Sequence, residues 1–495
     1  MLFNSIDFLI FFPIVALIYF IIPQKVKWIW LLVASYYFYM CWNPKYAVLM
    51  GTSTVITYLS GIFISKCDKY EEKKAKRMKK ICIALSFISN LAILVFFKYF
   101  GFIENNLNKI FDILNITLKA PSFDVLLPVG ISFYTFQALG YTMDVYRKDV
   151  KPEKNPFRYA LFVSFFPQLV AGPIERSKNL IHQLREEHRF EYERVKNGLL
   201  LMLWGFFQKL VIADRVAILV NTVYNNTFDY EGFQLIIATV LFAVQIYCDF
   251  SSYSDIAIGA AQVMGFKLMQ NFKRPYFSKS IAEFWRRWHI SLSTWFKDYL
   301  YFPLGGSRKG KFRTYINIMI IFIVSGLWHG AAWTFIIWGF LHGAYQVFGR
   351  LTRNLRDKIY DKFKVKKEAF SYKLGQVLTT FSLVSFAWIL FRANSISDAI
   401  YVIKHLFVWN PWILTDNVSL FKLGLDRQDF ELAIFSIFVL ICVSLIRRKN
   451  SVRELIAKQG IVFRWTLYYL AIFAVLIFGI YGPGYNASEF IYFQF

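Results

Sequence analysis

Long apolar runs separated by short polar connectors dominate the hydrophobic pattern of this chain. The runs cover residues 8–22, 28–42, 47–65, 81–100, 198–220, 233–247, 375–391, 432–446 and 465–480. Helices of this length approach or reach the roughly 20 residues that cross a bilayer. The pattern therefore predicts an all-α polytopic integral membrane protein with about ten full spans plus re-entrant or hairpin segments.

Residues 314–349 form an apolar stretch that breaks the regular pattern, because both of its flanks are basic. This predicts a helical hairpin that returns to the side from which it entered, with His329 at its apex in the sequence SGLWHGAAW, residues 325–333. Gly326, Gly330, Gly339 and Gly343 would let helices or a substrate approach closely. A polar ring at membrane depth is a functional-site hypothesis, and the alternative is a histidine hydrogen-bonded to a neighbouring helix.

Composition agrees with a membrane protein, since 57% of the 495 residues are hydrophobic and 20% are aromatic. The net charge of +25 could suggest a nucleic-acid partner. However, the Lys and Arg residues crowd into connectors between apolar runs, which is the positive-inside pattern. They number eight in residues 66–80, ten in 273–313, nine in 350–373 and six in 447–464. We therefore expect contact with membrane lipid and no nucleic-acid partner.

The same charges predict the orientation of the chain in the cell membrane. The four basic connectors are placed in the cytoplasm, whereas residues 221–232 and 415–431 are acidic or neutral and fit the outside. Following the chain through these anchors gives extracytoplasmic N- and C-termini. The first run has no basic residue before it and no A-x-A cleavage site after it, so we expect an uncleaved first span.

The five cysteines, Cys41, Cys67, Cys82, Cys248 and Cys442, are scattered and show no C-x-x-C spacing. Neither a disulfide framework nor a zinc site is indicated. We expect no metal.

A second informative stretch is FWRRWHISLSTWFKDYLYFPLGGSRKG, residues 284–310. Its helical periodicity places Trp285, Trp288, Leu292 and Trp295 or Phe296 on one apolar stripe. Interleaved aromatic and cationic residues suit a helix lying at the cytoplasmic interface. The cations Arg286, Arg287 and Lys297 would either anchor to lipid headgroups or bind a phosphorylated donor. His289 is a candidate site residue, or else a satisfied buried ring.

Two carboxylates lie inside a predicted span, in CDFSSYSD at residues 248–255. Asp249 and Asp255 are six residues apart, on roughly opposite faces of a continuous helix, so they form no acid/base dyad unless the helix breaks at Ser251 and Ser252. Carboxylates at this depth would orient a histidine or form part of an ion pathway. The prolines of FPQLVAGPIERS, residues 166–177, predict a broken or re-entrant turn.

Five ordered motifs resemble the membrane-bound O-acyltransferase family. They are LPVGISFYTFQALGYTMDVYR, FPQLVAGPIER, CDFSSYSDIAIG, FWRRWHISLSTWFKDYLYFPLGG and GLWHGAAW. Within the family, the chain is similar to the membrane subunit of bacterial polysaccharide O-acetyltransferases, such as that for alginate. The resemblance implies an acyltransferase core over residues 1–446, followed by a cytoplasmic connector, a final span and an extracytoplasmic aromatic tail over 447–495.

The resemblance also implies the chemistry. The two characteristic histidines of the family fall on His289 and His329, and the histidine of WHG is the usual catalytic candidate. Asp249, Asp255, Arg286, Arg287 and Lys297 are then candidates for binding the donor or orienting the site. The donor is an acyl thioester made in the cytoplasm, with acetyl-CoA expected as a substrate and no bound cofactor. The acceptor lies outside.

The last six residues, FIYFQF, resemble the C-terminal motif of the small partner of the teichoic acid D-alanylation transferase. The tyrosine of that motif is proposed to carry the acyl group, and it corresponds to Tyr492. The alternative is an interfacial aromatic belt. We therefore expect acetyl transfer through an extracytoplasmic esterase-like partner protein to a cell-surface polysaccharide. A D-alanyl transferase, and a transporter or channel using His329, Asp249 and Asp255, remain the alternatives.

Overall fold

In the computed structural model, the described residues are 1–121, 123, 128–170, 172–416, 419–447, 451–482 and 490–491. Every regular element within them is helical. The α-helices are α1 (Ile6–Ile21), α2 (Gln24–Met40), α3 (Pro44–Lys66), α4 (Glu72–Leu94), α5 (Phe100–Ile113), α6 (Ile131–Tyr146), α7 (Pro156–Ser164), α8 (Phe166–Leu169), α9 (Ser177–Leu180), α10 (Tyr192–Phe206), α11 (Asp214–Asn225), α12 (Phe233–Met264), α13 (Ile281–Arg287), α14 (Ile290–Phe296), α15 (Gly310–His329), α16 (Trp333–Leu351), α17 (Arg353–Lys362), α18 (Phe370–Arg392), α19 (Ile396–His405), α20 (Arg427–Ile446), α21 (Val452–Ala457) and α22 (Ile461–Phe478). Three π-helical segments, Val95–Tyr99, Phe207–Ala213 and Lys297–Tyr301, adjoin them.

Seven helical stretches in the described part of the chain are long and apolar enough to cross a membrane. They are Pro44–Lys69, Glu72–Ile113, Phe233–Met264, Gly310–His329, Phe370–Arg392, Arg427–Ile446 and Ile461–Phe478. The prediction of an all-α, multi-pass membrane protein is confirmed. The count of about ten full spans stays a prediction.

The chain divides into two compact units. Unit 1 comprises residues 1–201 and 256–269, and unit 2 comprises 202–255 and 270–495. Polar side chains inside unit 1 bind one another or the backbone. Ser177 donates to Asp144 Oδ2 at 2.5 Å, and the Gln137 amide donates to the carbonyl of Phe162 at 2.5 Å. Such pairing satisfies polar groups between apolar helices, as expected in a membrane protein.

The predicted interruption at residues 166–177 is confirmed. α8 covers only Phe166–Leu169, and the described residues 170 and 172–176 are non-helical before α9 begins at Ser177. Pro167 lies at the start of α8, where its missing N–H costs no helical hydrogen bond.

The core of unit 2 is rich in tryptophan, and this corrects one prediction. Instead of a single interfacial helix over residues 284–296, the segment is two short helices, α13 and α14. Its apolar stripe packs inside the protein. The ring of Trp285 lies 5.7 Å from that of Trp338 on α16, and the ring of Trp288 lies 5.2 Å from that of Trp388 on α18. Protein side chains therefore cover this stripe, and it is not the lipid-facing side of an interfacial helix.

Candidate active site

The hairpin predicted over residues 314–349 is present, and His329 is the last residue of its first helix. Residues 330–332 form the turn, and α16 begins at Trp333. Gly330 is extended, with φ −160° and ψ 155°, so the chain leaves the helix directly after the histidine. The His329 side chain is 3% exposed. The ring is thus held inside the protein at the apex of the hairpin.

Glycines let the two helices of the hairpin pack backbone against backbone. A Cβ atom at Gly326 would overlap the carbonyl oxygen of Phe335, and a Cβ at Gly339 would overlap the carbonyl oxygen of Phe322. At Gly330 a Cβ would overlap the ring of Phe335. Small residues permit such close helix pairs in membranes. The close approach predicted from these glycines is confirmed.

His289 lies between α13 and α14 with left-handed backbone angles, φ 42° and ψ 55°. Histidine is among the residue types that adopt this region more readily than most, but the conformation still costs free energy. Non-glycine residues in such conformations cluster at functional sites. The break between the two helices places the His289 ring in the interior, where it is fully buried.

Asn271 holds the backbone next to His289. Its Oδ1 accepts hydrogen bonds from Ser291 Oγ at 2.7 Å and Ser291 N at 3.3 Å, and its carbonyl accepts from Ile290 N at 3.0 Å. Its own amide donates to Ser254 Oγ on α12 at 2.9 Å. Sequence reasoning missed Asn271, because a single asparagine in a connector has no spacing that marks it.

The structure brings the two predicted histidines together, with ring centroids of His289 and His329 6.2 Å apart. Aromatic rings surround them. Trp328 lies 5.6 Å from His289 and 5.0 Å from His329, and Phe250 meets His289 edge to face at 4.7 Å. Trp338 lies 5.1 Å from His329. This apolar enclosure limits the access of water to both rings.

A third histidine, His342 on α16, belongs to the same group, and sequence reasoning missed it. Its ring lies 4.9 Å from Trp338, which also contacts His329. Its Nδ1 accepts a hydrogen bond from Trp285 Nε1 at 3.2 Å. Helical spacing from the WHG motif does not point to it, since it lies across the turn. We call His289, His329 and His342 the histidine cluster.

Burial changes the acid–base behaviour of His289, which lies outside the candidate spans. Desolvation lowers its pKa from 6.5 to about 3, because burial strips water from the charged imidazolium. His289 is therefore neutral in the folded protein at pH 7. A group with so low a pKa is a weak base at that pH.

The two predicted carboxylates have other partners. α12 is continuous across Ser251 and Ser252, so Asp249 and Asp255 stay on different faces and form no dyad. Asp249 Oδ1 lies 2.7 Å from Lys209 Nζ. Asp255 Oδ2 accepts from the amide of Gln208 at 3.1 Å. These contacts give both carboxylates a role in packing α12 against the π-helical segment Phe207–Ala213.

The predicted cations divide into two kinds. Arg287 binds Glu283 one turn earlier on α13 at 2.5 Å. Arg286 and Lys297 are exposed and line a pocket of about 280 Å³ together with Trp285 and others. The complete lining is Trp285, Arg286, Ile290, Leu292, Ser293, Thr294, Phe296, Lys297, Ile321, Phe322 and Ser325.

This pocket extends toward the catalytic candidate. Ser325 lies four residues before His329 on α15, which is about one helical turn. The indole that donates to His342 forms another part of the wall. A ligand here would contact apolar walls and two cations, and Trp285 would join its site to His342.

Tyr492 lies outside the described residues. Phe490 and Ile491 directly before it are described, and both are buried, at 0% and 2% exposure. An interfacial belt would leave such apolar residues on the surface. The burial favours a tail that docks into the protein.

Comparisons with known proteins identify the family of the chain. A family model described as MBOAT, the membrane-bound O-acyltransferase family, matches residues 153–392, which include His289 and His329. The chain is 38% identical over 417 residues to a probable alginate O-acetylase AlgI from Pseudomonas putida, covering 84% of this chain and 82% of the relative. It is 33% identical over 469 residues to a peptidoglycan O-acetyltransferase from Helicobacter pylori, covering 87% and 83%. A teichoic acid D-alanyltransferase from Bacillus subtilis is 27% identical over 287 residues, covering 55% and 71%.

In the described part of the chain, no group of three or more His, Cys, Asp or Glu side chains could hold a metal ion. The similarity to relatives extends over most of their length and over most of this chain. The chain therefore belongs to the membrane-bound O-acyltransferase family and is a multi-pass membrane O-acyltransferase.

Proposed function

We propose that the protein moves an acetyl group from cytoplasmic acetyl-CoA to Tyr492 on the extracytoplasmic side, and thence through a partner protein to a cell-surface polysaccharide. The observation that carries this proposal is the enclosure of His329 and His289, 6.2 Å apart, at a hairpin apex in a chain of this family. The names of two relatives, an alginate O-acetylase and a peptidoglycan O-acetyltransferase, support acetylation of a polysaccharide.

His329 is the general base. Its ring removes the proton of the attacking hydroxyl while the hydroxyl oxygen bonds to the thioester carbonyl carbon. The carbon–sulfur bond breaks, and the departing thiolate takes up the proton. Trp328, Trp338 and Phe391, with ring centroids within 5.4 Å of the His329 ring, would protect the thioester from hydrolysis.

His289 has a positioning role. Its low pKa makes it a poor proton acceptor at neutral pH, but a neutral imidazole still donates and accepts hydrogen bonds. The left-handed backbone of His289, and the hydrogen bonds between Asn271 and the next residues of the chain, fix the ring beside His329. This division of labour gives one base and one orienting group.

The pocket beside Trp285 is where we place the acyl donor. Arg286 and Lys297 would bind phosphate groups of coenzyme A, and the apolar wall would accept its less polar arm. Arg287 is less suited to this role, because Glu283 already pairs with it. A D-alanyl group on a carrier protein is the second candidate donor, and the similarity to a teichoic acid D-alanyltransferase favours it.

Tyr492 splits the transfer into two steps. A phenol has a pKa of about 10, so it needs a base such as His329 to attack the donor at pH 7. In the second step, a hydroxyl of the extracytoplasmic partner attacks the acetyl carbon, and the ester bond to Tyr492 breaks. The tyrosine is regenerated, and the partner then passes the acetyl group to the glycan.

The proposed transfer requires the donor on the cytoplasmic side of the membrane and Tyr492 on the other side. The distribution of charge along the chain supports this orientation. The basic connectors 66–80 and 350–373 support a donor side in the cytoplasm and termini outside. Cysteines introduced into these connectors, in a variant without the five native cysteines, should react only with a membrane-permeant maleimide. Labelling of residues 350–373 by an impermeant maleimide from outside would overturn this orientation.

The deciding experiment reconstitutes the protein in proteoliposomes with isotope-labelled acetyl-CoA, followed by mass spectrometry of the C-terminal peptide. We expect labelled acetyl on Tyr492, and none in Tyr492→Phe, which keeps the aromatic ring and removes only the hydroxyl. A parallel reaction with a D-alanyl carrier protein tests the second donor. Absence of acyl group on the peptide, together with normal polysaccharide acetylation by Tyr492→Phe, would exclude the covalent role.

A further inference from the structure

We propose that the buried pair Lys209–Asp249 docks the C-terminal tail of the chain and so positions Tyr492. The role of Tyr492 rests on the proposed function, whereas docking of Phe490 and Ile491 does not. We call Lys209, Asp249 and Tyr253 the tail dock. In the proposed reaction His329 removes the proton of the attacking hydroxyl, and no carboxylate takes part. The contacts of Asp249 therefore need a different explanation.

Asp249 joins the tail to the helical core. Its Oδ2 accepts a hydrogen bond from the backbone N–H of Ile491 at 2.8 Å, across 242 residues of sequence. Its Oδ1 lies 2.7 Å from Lys209 Nζ. Hydrogen bonds to a carboxylate are stronger than those between neutral groups, especially away from water. Asp249 is 1% exposed, so water does not compete for the tail.

Lys209 holds that carboxylate in place. It lies in the π-helical segment Phe207–Ala213, and π-helical turns occur frequently at functional sites. Its ammonium also lies 2.7 Å from Asp214 Oδ1. One buried cation therefore serves two carboxylates, and the N–H of Ile491 supplies a further donor to Asp249. Burying a carboxylate without such partners would be costly.

The residues around Ile491 N complete the docking surface. Tyr253 lies one turn after Asp249 on the same face of α12, and its ring stacks on Phe490 with centroids 4.0 Å apart and an angle of 25°. The Ile491 side chain belongs to the main hydrophobic cluster of unit 2. The tail is thus bound by one charged hydrogen bond, one ring stack and apolar burial.

The π-helical segment that carries Lys209 and the start of α11 also hold the chain at the end of α22. Ile480 N donates to the carbonyl of Leu210 at 3.0 Å, and Arg215 Nη2 donates to the carbonyl of Phe478 at 2.9 Å. The end of α22 and the Phe490–Ile491 pair are therefore both anchored to the same part of unit 2.

Docking of Ile491 would limit the positions open to the residue bonded to it, because consecutive Cα atoms are about 3.8 Å apart. A nucleophile that is already held near its target loses less conformational freedom on reaching the transition state, and this raises the rate of the reaction. A released tail would keep its hydroxyl but lose this advantage.

The test measures exposure of the tail directly. Ile491→Cys is introduced into the full-length protein lacking its five native cysteines, and the rate of maleimide labelling is followed in detergent. We expect slow labelling in this parent. Adding Asp249→Ala should raise the rate about 10- to 100-fold, the usual effect of losing a hydrogen bond to a charged group. Asp249→Asn should give a smaller rise, since its amide oxygen still accepts from residue 491.

The matched control is Asp214→Asn. It removes the other carboxylate beside Lys209 but no contact with the tail, so labelling should stay at the rate of the parent. Thermal stability of each variant, measured by size exclusion after heating, identifies labelling that comes from unfolding. Equal labelling of folded Asp249→Ala, Asp249→Asn and the parent would overturn docking.

Acetylation of Tyr492, measured on the same Asp249 variants with Ile491 intact, tests the consequence. Release of the tail with a proportional loss of acetyl-Tyr492 supports positioning by the tail dock. Release with undiminished acetylation overturns it. If the wild-type protein itself forms no acetyl-Tyr492 while labelling still responds to Asp249, the covalent function fails and the docking of residues 490–491 stands.

Discussion

The histidine cluster and the tail dock are two buried polar regions of unit 2 that are built in opposite ways. Around His289 and His329 the neighbours are aromatic rings, at centroid distances of 4.7 to 5.6 Å. Around Lys209 the neighbours are two carboxylates, each at 2.7 Å. One region buries rings that can be neutral, and the other buries full charges.

This difference indicates that the histidine cluster serves the reaction and that the tail dock serves the stability of the fold. A neutral imidazole costs little to bury and can still gain or lose a proton when a substrate arrives. A buried charge must keep its partners, because removing one of them leaves an uncompensated ion. We therefore expect substitutions in the histidine cluster to change the rate of transfer, and substitutions of Lys209 to change stability.

The largest expected effect is on transfer. His329→Ala should lower acyl transfer by about 10²- to 10⁴-fold, the usual cost of removing a general base, while thermal stability changes little. Steady-state transfer from labelled acetyl-CoA in proteoliposomes measures this. His182→Ala removes an exposed histidine instead and should retain wild-type transfer. Near-normal turnover of folded His329→Ala would end the assignment of this residue as the base.

A comparable effect on stability is expected in the tail dock. Lys209→Met leaves Asp214 and Asp249 without their shared cation, and breaking a buried pair in this way costs about 3–5 kcal/mol. Asp249→Asn instead leaves Lys209 with Asp214 and should cost much less. Thermal unfolding in detergent compares the two variants. Equal stability losses would contradict the ionic construction of the tail dock.

The α15–α16 hairpin that carries His329 should respond to a change of shape, whereas the tail dock responds to a change of charge. Gly326→Ala adds a methyl group that overlaps the carbonyl of Phe335, and overpacking of this kind costs about 1–3 kcal/mol. It should also separate α15 from α16 and reduce transfer. The control is Gly349→Ala on α16, where an added Cβ meets no atom within 4 Å. Similar stability of both variants would argue against a tightly packed hairpin.

Much of the histidine cluster could be predicted from the sequence. The lengths of the apolar runs predict a multi-pass protein, and the basic flanks of residues 314–349 predict a hairpin with His329 at its apex. These signals are local. The left-handed backbone at His289 could not be predicted in this way. The apolar residues around it repeat with an unbroken helical period, which predicts one continuous helix. The break depends instead on Asn271 and on the packing of α13 and α14.

The tail dock shows what local signals cannot reveal. Asp249 stands out as a carboxylate within a span, but its partner Lys209 lies 40 positions earlier in a stretch that reads as an ordinary apolar run. Its bond to Ile491 joins residues 242 positions apart. Periodicity informs on neighbours within a few turns, so pairings over such distances are set only by tertiary packing.

The smallest expected effect concerns the pH dependence of stability. Burial lowers the pKa of His289 to about 3, so below pH 6.5 the unfolded chain binds a proton at this residue that the folded protein does not. The folded state therefore loses stability as the pH falls, by about 1–2 kcal/mol between pH 7 and pH 5. His289→Asn removes this ring while keeping a residue type that tolerates the left-handed region. Its thermal midpoint should fall less over the same pH range.

Thermal unfolding in detergent at several values between pH 7 and pH 5 measures this slope for the wild type and for two variants. His182→Asn, which removes an exposed ring, should follow the wild type. A flatter slope in His289→Asn alone would assign the loss to the buried ring, and would agree with an orienting role in which His289 stays neutral throughout catalysis. A wild-type slope in His289→Asn would mean that His289 keeps a more ordinary pKa. That result would weaken the separation of His329 as base from His289 as orienting group.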